Sequence, residues 1–280
     1  LEQGITLFDT AQAYGFGVSE RVLGETLWTR VRRDEVIVAT KGGLRMDGSE
    51  LVRDAGARWL RAGVEASLRN LATDYIDLHQ VHWPDPLTPA EETAEALEAL
   101  VAEGKIRHAG VSNYDAKQMD ELAHHGPVEA LQPPYHLFRR DIEREILPYT
   151  AVNDIGVLAY GPLAHGLLGG RMTAETTFPP DDWRSHSRDF AGETFRHNLD
   201  VVARLSRFAA ERGIPLPQLA VAWTVANPAV DVAIVGARRA SQLEALTPAA
   251  DVELTADDLD SIEAIVADAA PVGGPAPEGM

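Results

Sequence analysis

The sequence predicts an α/β fold, a (β/α)8 TIM barrel. Apolar strand-like runs alternate with helical stripes from one end of the chain to the other. Seven such strands each finish on a group able to hydrogen-bond or ionise. No linker interrupts the 280 residues, a length that suits one barrel with a large core.

Taken in order, Ile5–Ala11 reads as a strand. Gly15-Phe16-Gly17 makes a turn, and Ser19 is placed to cap a helix over Ser19–Arg30. Glu35–Lys41 is a strand closed by Gly42-Gly43. Asp54–Leu71 is a helix with Trp59, Leu60, Val64, Leu68 and Leu71 on one stripe. Tyr75–His82 is a strand stopped by Trp83-Pro84, and Thr88–Glu103 is a helix with Pro89 in its first turn. The strand Lys105–Val111 leads into Ser112-Asn113-Tyr114, and the helix Asp115–His124 follows. Val128–Gln132 is a strand ended by Pro133-Pro134; Ile142–Val152 is a helix broken near Pro148. Gly156–Tyr160 is a strand leading into Gly161-Pro162-Leu163. From Ala164 to about Glu193 no period is visible. Helices over Thr194–Arg212 and Pro217–Asn227, the strand Val232–Gly236, and helices over Ser241–Leu246 and Thr255–Asp268 complete the pattern. One barrel domain over 1–270 is expected, with a flexible Pro/Gly-rich tail over 271–280. Leu1-Glu2-Gln3-Gly4 resembles a helix end, so an eighth strand, the first of the barrel, is expected upstream.

Composition excludes several classes. Lysine and arginine total 25 against 43 acids, a net charge of −18. Such a chain repels nucleic acid and anionic membranes, and a phosphorylated cofactor would need local arginines. With no cysteine there is no disulfide framework, thiolate metal site or cysteine nucleophile. No apolar run approaches membrane-span length and no signal peptide is evident. A cytoplasmic location is expected.

In a barrel the chemistry lies at the C-terminal ends of the strands. Those ends are Asp9, Lys41, His82, Ser112-Asn113, Gln132, Tyr160, and Gly236 with Arg238. Parity supports an inward assignment: if Lys41 and Asp9 point inward, so do Ile37, Ala39, Ile5 and Leu7, all apolar. A lone strand-end Asp is more often a turn former than a catalyst, but seven polar ends on one face are not explained that way. His79 and His82 face opposite sides of their strand, which argues against a metal pair; no metal site is expected. A phenol with a pKa near 10 is a poor acid at neutral pH. An adjacent ammonium, held by a carboxylate, lowers that pKa. Asp9, Lys41 and Tyr14 can form such a chain, making Tyr14 a general acid for a developing alkoxide. His82 can orient the carbonyl oxygen. The hydride must then come from outside, as from a nicotinamide.

These residues resemble the aldo-keto reductase superfamily over nearly the whole chain. Phe8-Asp9-Thr10-Ala11 with Tyr14, Ala39-Thr40-Lys41 and Val81-His82-Trp83-Pro84 match its Asp, Tyr, Lys and His tetrad. Tyr14-Gly15-Phe16-Gly17, His82-Trp83-Pro84-Asp85-Pro86-Leu87, Gln132-Pro133-Pro134-Tyr135 and Gly236-Ala237-Arg238 look most like the bacterial general stress protein branch of NADPH-dependent reductases. The resemblance implies NADPH/NADP+ as cofactor, with Asp9 at its site, Ser112, Asn113 and Gln132 on the nicotinamide amide and Tyr160 stacked on the ring. It implies that Gly161, Pro162, Leu163, Ala164 and His165 carry the pyrophosphate. Arg171 and Arg184 would lie on a loop over the cofactor, and Gly236, Ala237, Arg238 and Gln242 would surround the adenosine 2′-phosphate. An arginine fork at a helix start suits that dianion. Arg171 stands where relatives often carry lysine, and the family's N-terminal hairpin is absent along with the first strand.

The expected function is NADPH-dependent reduction of aldehydes or ketones, with catalytic Asp9, Tyr14, Lys41 and His82. Trp83, Tyr114 and Phe138 are candidates for an apolar substrate pocket. The expected partner is a small carbonyl compound alone, acting on a monomer. The alternative is a nicotinamide-binding regulatory subunit resembling potassium-channel β-subunits.

Overall fold

Seven strands run parallel and neighbour one another in chain order, each but the last followed by a helix before the next. This is the succession of a (β/α)8 barrel. The computed structural model describes residues 1–276. They form two compact units, residues 1–133 with 148–157, and 134–147 with 158 onward.

The first unit begins with β1 (Leu7–Asp9), α1 (Val18–Leu27) and β2 (Ile37–Gly42). An unexpected antiparallel hairpin follows, β3 (Leu44–Asp47) and β4 (Glu50–Arg53). Gly48-Ser49 is its two-residue turn, with Gly48 at a φ of 64°, a signal present in the sequence but hidden by the polar flanks. Then come α2 (Ala57–Leu71), β5 (Ile76–Val81), α3 (Ala90–Ala102), β6 (Ile106–Ser112), α4 (Ala116–Ala123) and β7 (Ala130–Gln132). The helix α2 buries Leu60, Val64 and Leu71, three members of its expected stripe. α1 crosses α2 at Gly24, where a Cβ would lie 2.5 Å from the Leu71 carbonyl oxygen. α1 is not capped by Ser19. It starts after Gly17, whose φ of 88° lets the chain turn in, while the Ser19 hydroxyl accepts from Thr10.

A polar clamp closes the N-terminal ends of these strands. Asp77 Oδ2 accepts from Arg33 Nη2 at 2.5 Å and from the Val38 amide at 2.9 Å, and Oδ1 accepts from Arg107 Nη1 at 3.1 Å. Both guanidinium groups stack on Tyr75, 3.9 and 3.8 Å from its ring centroid.

One of the residues with inward parity is not buried. Ile37, the first residue of β2, is 46% exposed. The apolar interior begins with the next residues, Val38 and Ala39, which are fully buried.

After α5 (Ile146–Val152), β8 (Gly156–Tyr160) starts in the first unit, pairing Gly156 and Val157 with β7. Its last three residues belong to the second unit and pair with β9 (Val232–Ile234). That unit also holds α6 (Gly192–Glu211), α7 (Leu216–Ala226), α8 (Ala240–Leu246) and α9 (Ala256–Val266). The stretch without visible period contains three short 3-10 helices, at Ala164–Gly169, Trp183–Ser185 and Arg188–Phe190. The start of the expected flexible tail is packed. Val272 is fully buried and donates its amide to the Phe138 carbonyl, and the Gly273 amide donates to Asp189. Residues 277–280 of that tail lie outside the described residues. Among the described residues, no helix is long and apolar enough to cross a membrane.

Candidate active site

β1 ends on Asp9, and the β1–β2 ladder continues beyond it. Thr10 N donates to Ala39 O at 2.9 Å and Gln12 N to Lys41 O at 3.0 Å. The loop that presents Tyr14 is thereby pinned alongside Lys41. Tyr14 N to Ala11 O and Gly17 N to Gln12 O close the turn.

Lys41 is 1% exposed. Its Nζ donates to Asp9 Oδ2 at 2.6 Å and to Thr10 O at 2.9 Å. Burial lowers the Lys41 pKa, and the Asp9 carboxylate opposes that. The other Asp9 oxygen accepts from Gln132 Nε2 at 2.9 Å. Removing either partner would leave a buried charge uncompensated. The Lys41–Asp9–Gln132 chain joins residues far apart in sequence, and only the Lys41–Asp9 contact follows from the strand-end pattern.

His82 is buried, with no partner at Nδ1 among the described residues. Burial, then the Lys41 charge, pushes its pKa down to about 3, so the imidazole is neutral at ordinary pH. Its ring meets Tyr14 edge-on at 5.8 Å between centroids, and Lys41 Nζ lies 5.4 Å from the Tyr14 ring centroid. The register pairs Lys41 with Gln80 and Thr40 with His79. His79 therefore faces the helix side, opposite to Gln80 and His82.

One expectation is reversed. The Tyr14 phenol is not lowered by Lys41. Although 47% of the residue is exposed, its hydroxyl is partly desolvated. That burial, followed by the Asp9 carboxylate, pushes its pKa up to about 12. Asp9 thus acts on the phenol directly as well as through the ammonium.

Ser112 and Asn113 join the same face. Ser112 Oγ donates to Gln132 O at 2.8 Å; Asn113 Nδ2 donates to Ser112 Oγ at 3.1 Å and to His82 O at 3.0 Å. Asn113 adopts a φ of 62°, a left-handed conformation that asparagine tolerates.

The remaining expected cofactor residues lie in the second unit. Tyr160 ends β8, half-buried, and its carbonyl accepts from Tyr135 N. The loop after it turns through positive φ at Gly161, Ala164 and His165, unusual for the last two. A Cβ at Gly161 or Gly236 would meet no atom within 4 Å, so both strand ends open onto free space. Arg184 Nη1 donates to the His165 carbonyl at 2.8 Å, while Nη2 pairs with Asp182 at 2.6 Å. That hydrogen bond, with the Arg184 and Arg238 charges adding, holds Asp182 down at about 2. Arg171, Ala237 and Arg238 are exposed. Gln242 has a local task that spacing does not reveal: its Oε1 caps α8 by accepting from the Arg238 and Arg239 amides at 2.9 and 3.1 Å.

Of the expected substrate residues, Trp83 is half-buried, with the Arg53 guanidinium 5.2 Å from its ring. Tyr114 and Phe138 are 7% and 3% exposed and belong to the core. The sequence did not single out Gln80, whose buried amide has no partner among the described residues, or Glu20, a fully buried carboxylate in α1. Parity points to Gln80, which shares the face of Lys41. An acid in a helix's first turn gives no such signal.

Comparison with known proteins agrees with this geometry. The model of the aldo/keto reductase family matches residues 1–267. Aldo-keto reductase YhdN of Bacillus subtilis is 46% identical over 267 residues, covering 95% of this chain and 81% of that protein. The structure of glycerol dehydrogenase AKR11B4 from Gluconobacter oxydans matches with a TM-score of 0.90 at 38% identity, over 98% of this chain and 84% of that one. An aldo/keto reductase from Klebsiella pneumoniae, crystallised with NADP and acetate, matches with a TM-score of 0.72 at 32% identity, over 95% and 81% of the two chains. The chain belongs to the aldo/keto reductase family, close to the bacterial branch of YhdN, and is an oxidoreductase that reduces carbonyl compounds with NADP(H).

Proposed function

We propose that Tyr14 is the general acid of this reduction, with Lys41, Asp9 and His82 setting its proton chemistry. The observation that carries the reading is the Lys41–Asp9–Gln132 chain beside Tyr14 and a neutral His82. A phenol pushed up to about 12 keeps its proton at neutral pH and has it to give. As negative charge develops on the phenol oxygen, the nearby Lys41 ammonium stabilises it, and Asp9 keeps that ammonium charged. His82, uncharged, can donate one ring N–H to the carbonyl oxygen without competing as an acid.

The bound nicotinamide supplies the hydride. Ser112, Asn113 and Gln132 are assigned to its carboxamide. Gln132 spends its Nε2 on Asp9 and keeps an oxygen suited to an amide N–H. Tyr160 would stack on the ring. The turn Gly161–His165, open at Gly161 and tied at the His165 carbonyl by Arg184, would carry the pyrophosphate. Arg238 in the loop Gly236–Arg238 would meet the 2′-phosphate, with Gln242 holding its backbone, and Arg171 would close over the cofactor. A preference for NADPH over NADH follows from this assignment. Trp83 is the foremost candidate to line the substrate site. We also propose a cytoplasmic monomer with a small carbonyl compound as its partner; the charge of −18 disfavours nucleic acid and anionic membranes.

The test is NADPH binding and oxidation by the 280-residue chain with a panel of aldehydes and ketones. Glyceraldehyde belongs in it, since one relative is a glycerol dehydrogenase. Turnover is expected, and Tyr14→Phe should reduce it about 10²–10⁴-fold while leaving NADPH bound. Binding without turnover of any carbonyl would favour the nicotinamide-binding regulatory subunit. No NADPH binding would sink the assignment of the cofactor residues.

A further inference from the structure

Behind Lys41, on the helix side of the sheet, lies a second buried carboxylate that the chemistry above does not use. Glu20 sits in the first turn of α1 with no exposed surface. Its Oε1 accepts from Thr40 Oγ1 at 2.8 Å and from Ser67 Oγ at 2.7 Å, and its Oε2 from Asn70 Nδ2 at 3.0 Å. A carboxylate is acceptor-only, so it orders every hydroxyl and amide around it in one direction.

Two arms run from Glu20 toward the site. Thr40 is the chain neighbour of Lys41 and points the other way, so the carboxylate fixes the strand end that carries the ammonium. Ser67 Oγ accepts from Gln12 Nε2 at 3.2 Å, and Gln12 lies in the loop that presents Tyr14. The Gln12 backbone is held as well, its amide on Lys41 O and its carbonyl on Gly17 N. Two glycines leave the Gln12 side chain its place. A Cβ at Gly63 would come within 2.7 Å of its Nε2, and one at Gly42 within 3.0 Å of its Oε1. Glu20 is thus the common acceptor of the Lys41 strand and the Tyr14 loop.

We propose that Glu20 is a positioning residue for the reduction, setting the separation of Tyr14 from Lys41 through Thr40 on one arm and Ser67–Gln12 on the other. The inference rests on the roles proposed above for Tyr14 and Lys41. Glu20 touches neither substrate nor cofactor in this arrangement, so its effect belongs in kcat and not in binding.

The experiment compares the wild-type chain with Glu20→Leu, Glu20→Gln and Ser67→Ala, using an aldehyde that the wild type reduces. Glu20→Leu removes the common acceptor, and kcat should fall about tenfold or more, with NADPH affinity and aldehyde KM nearly unchanged. Glu20→Gln keeps an oxygen for Thr40 and Ser67, while the Asn70 amide can turn to meet the new N–H. It should restore kcat to within about threefold of wild type. Ser67→Ala cuts only the arm to Gln12 and serves if Glu20→Leu does not fold. It should lower kcat about fivefold with KM preserved. A folded Ser67→Ala with wild-type kcat would overturn the proposal, as would losses that appear in KM or NADPH affinity alone. A wild-type chain that binds NADPH but reduces nothing overturns the reading beneath it, and this inference with it.

Discussion

Two aspartates in the first unit show how one residue type serves opposite ends of a parallel sheet. Asp9 ends β1; Asp77 is the second residue of β5. Both are nearly buried, and both have each oxygen engaged. At Asp77 the cations are two guanidinium forks already stacked on Tyr75, and the backbone amide of Val38 completes the set. Arginine cannot lose its proton in a protein, so the cations at that end keep their charge. At Asp9 the cation is a single ammonium whose pKa burial has lowered, and beside it stand a phenol held protonated and an imidazole held neutral. One end is saturated and serves stability. The other retains groups whose charge can change, which is what chemistry at the C-terminal ends of strands requires.

The contrast can be broken by exchanging which carboxylate is lost. Asp77→Ala takes the carboxylate from two guanidinium groups and the Val38 amide, leaving Arg33 with the Thr73 hydroxyl and the Val36 and Tyr75 carbonyls. It should cost about 3–5 kcal/mol in unfolding free energy, with kcat of the folded fraction unchanged. Asp9→Asn keeps the shape and an acceptor for Lys41. It should lower turnover about a hundredfold and, because the buried Lys41 charge loses its counter-charge, cost about 1–3 kcal/mol of stability, less than the loss at Asp77 because the amide still accepts from Lys41. Denaturant unfolding alongside steady-state kinetics would measure both. If Asp9→Asn unfolds as readily as Asp77→Ala, the two ends do not divide the work.

A pH series sharpens the same comparison. Burial pushes His79 down to about 4, and burial with Lys41 pushes His82 down to about 3. The unfolded chain takes up these protons near pH 6.5, whereas the folded chain stays neutral until the lower values. Their contribution is therefore complete above about pH 6.5 and is lost as pH falls toward about 4 for His79 and about 3 for His82, on the order of 3 kcal/mol for a fully buried ring such as His79. His79→Leu should flatten the acid limb of thermal stability without changing Tyr14-dependent turnover. A limb of unchanged slope would show that His79 is not neutral in the fold. The smallest effect concerns the clamp's aromatic floor. Tyr75→Leu should cost about 1 kcal/mol at low ionic strength, from two stacked guanidinium groups, and leave catalysis alone.

Much of the site was legible because strand periodicity is local. Ile76–Val81 with His82 beyond it, and Ile37–Gly42 with Lys41 near its end, announce which side chains share a face. Turn chemistry was legible in part. Gly48-Ser49 signals the hairpin, but the charged residues around it obscured the strands. Gln242 fits a phosphate-side residue by position, and its capping of Arg238 and Arg239 appears only once α8 is built. The Asp77 clamp draws on Arg33 and Arg107 from separate segments, and nothing local in any of the three foretells it.

What the sequence determined by itself is the order of strands and the residues that finish them, since alternation and helical stripes follow from backbone geometry within a few residues. The tertiary structure decided which states those residues occupy. Lys41 meets Asp9 across 32 positions and Gln132 meets it across 123. Tyr14 rises to about 12 where adjacency to an ammonium had suggested a fall. Charge states depend on burial and through-space distance, and the folded chain alone fixes both.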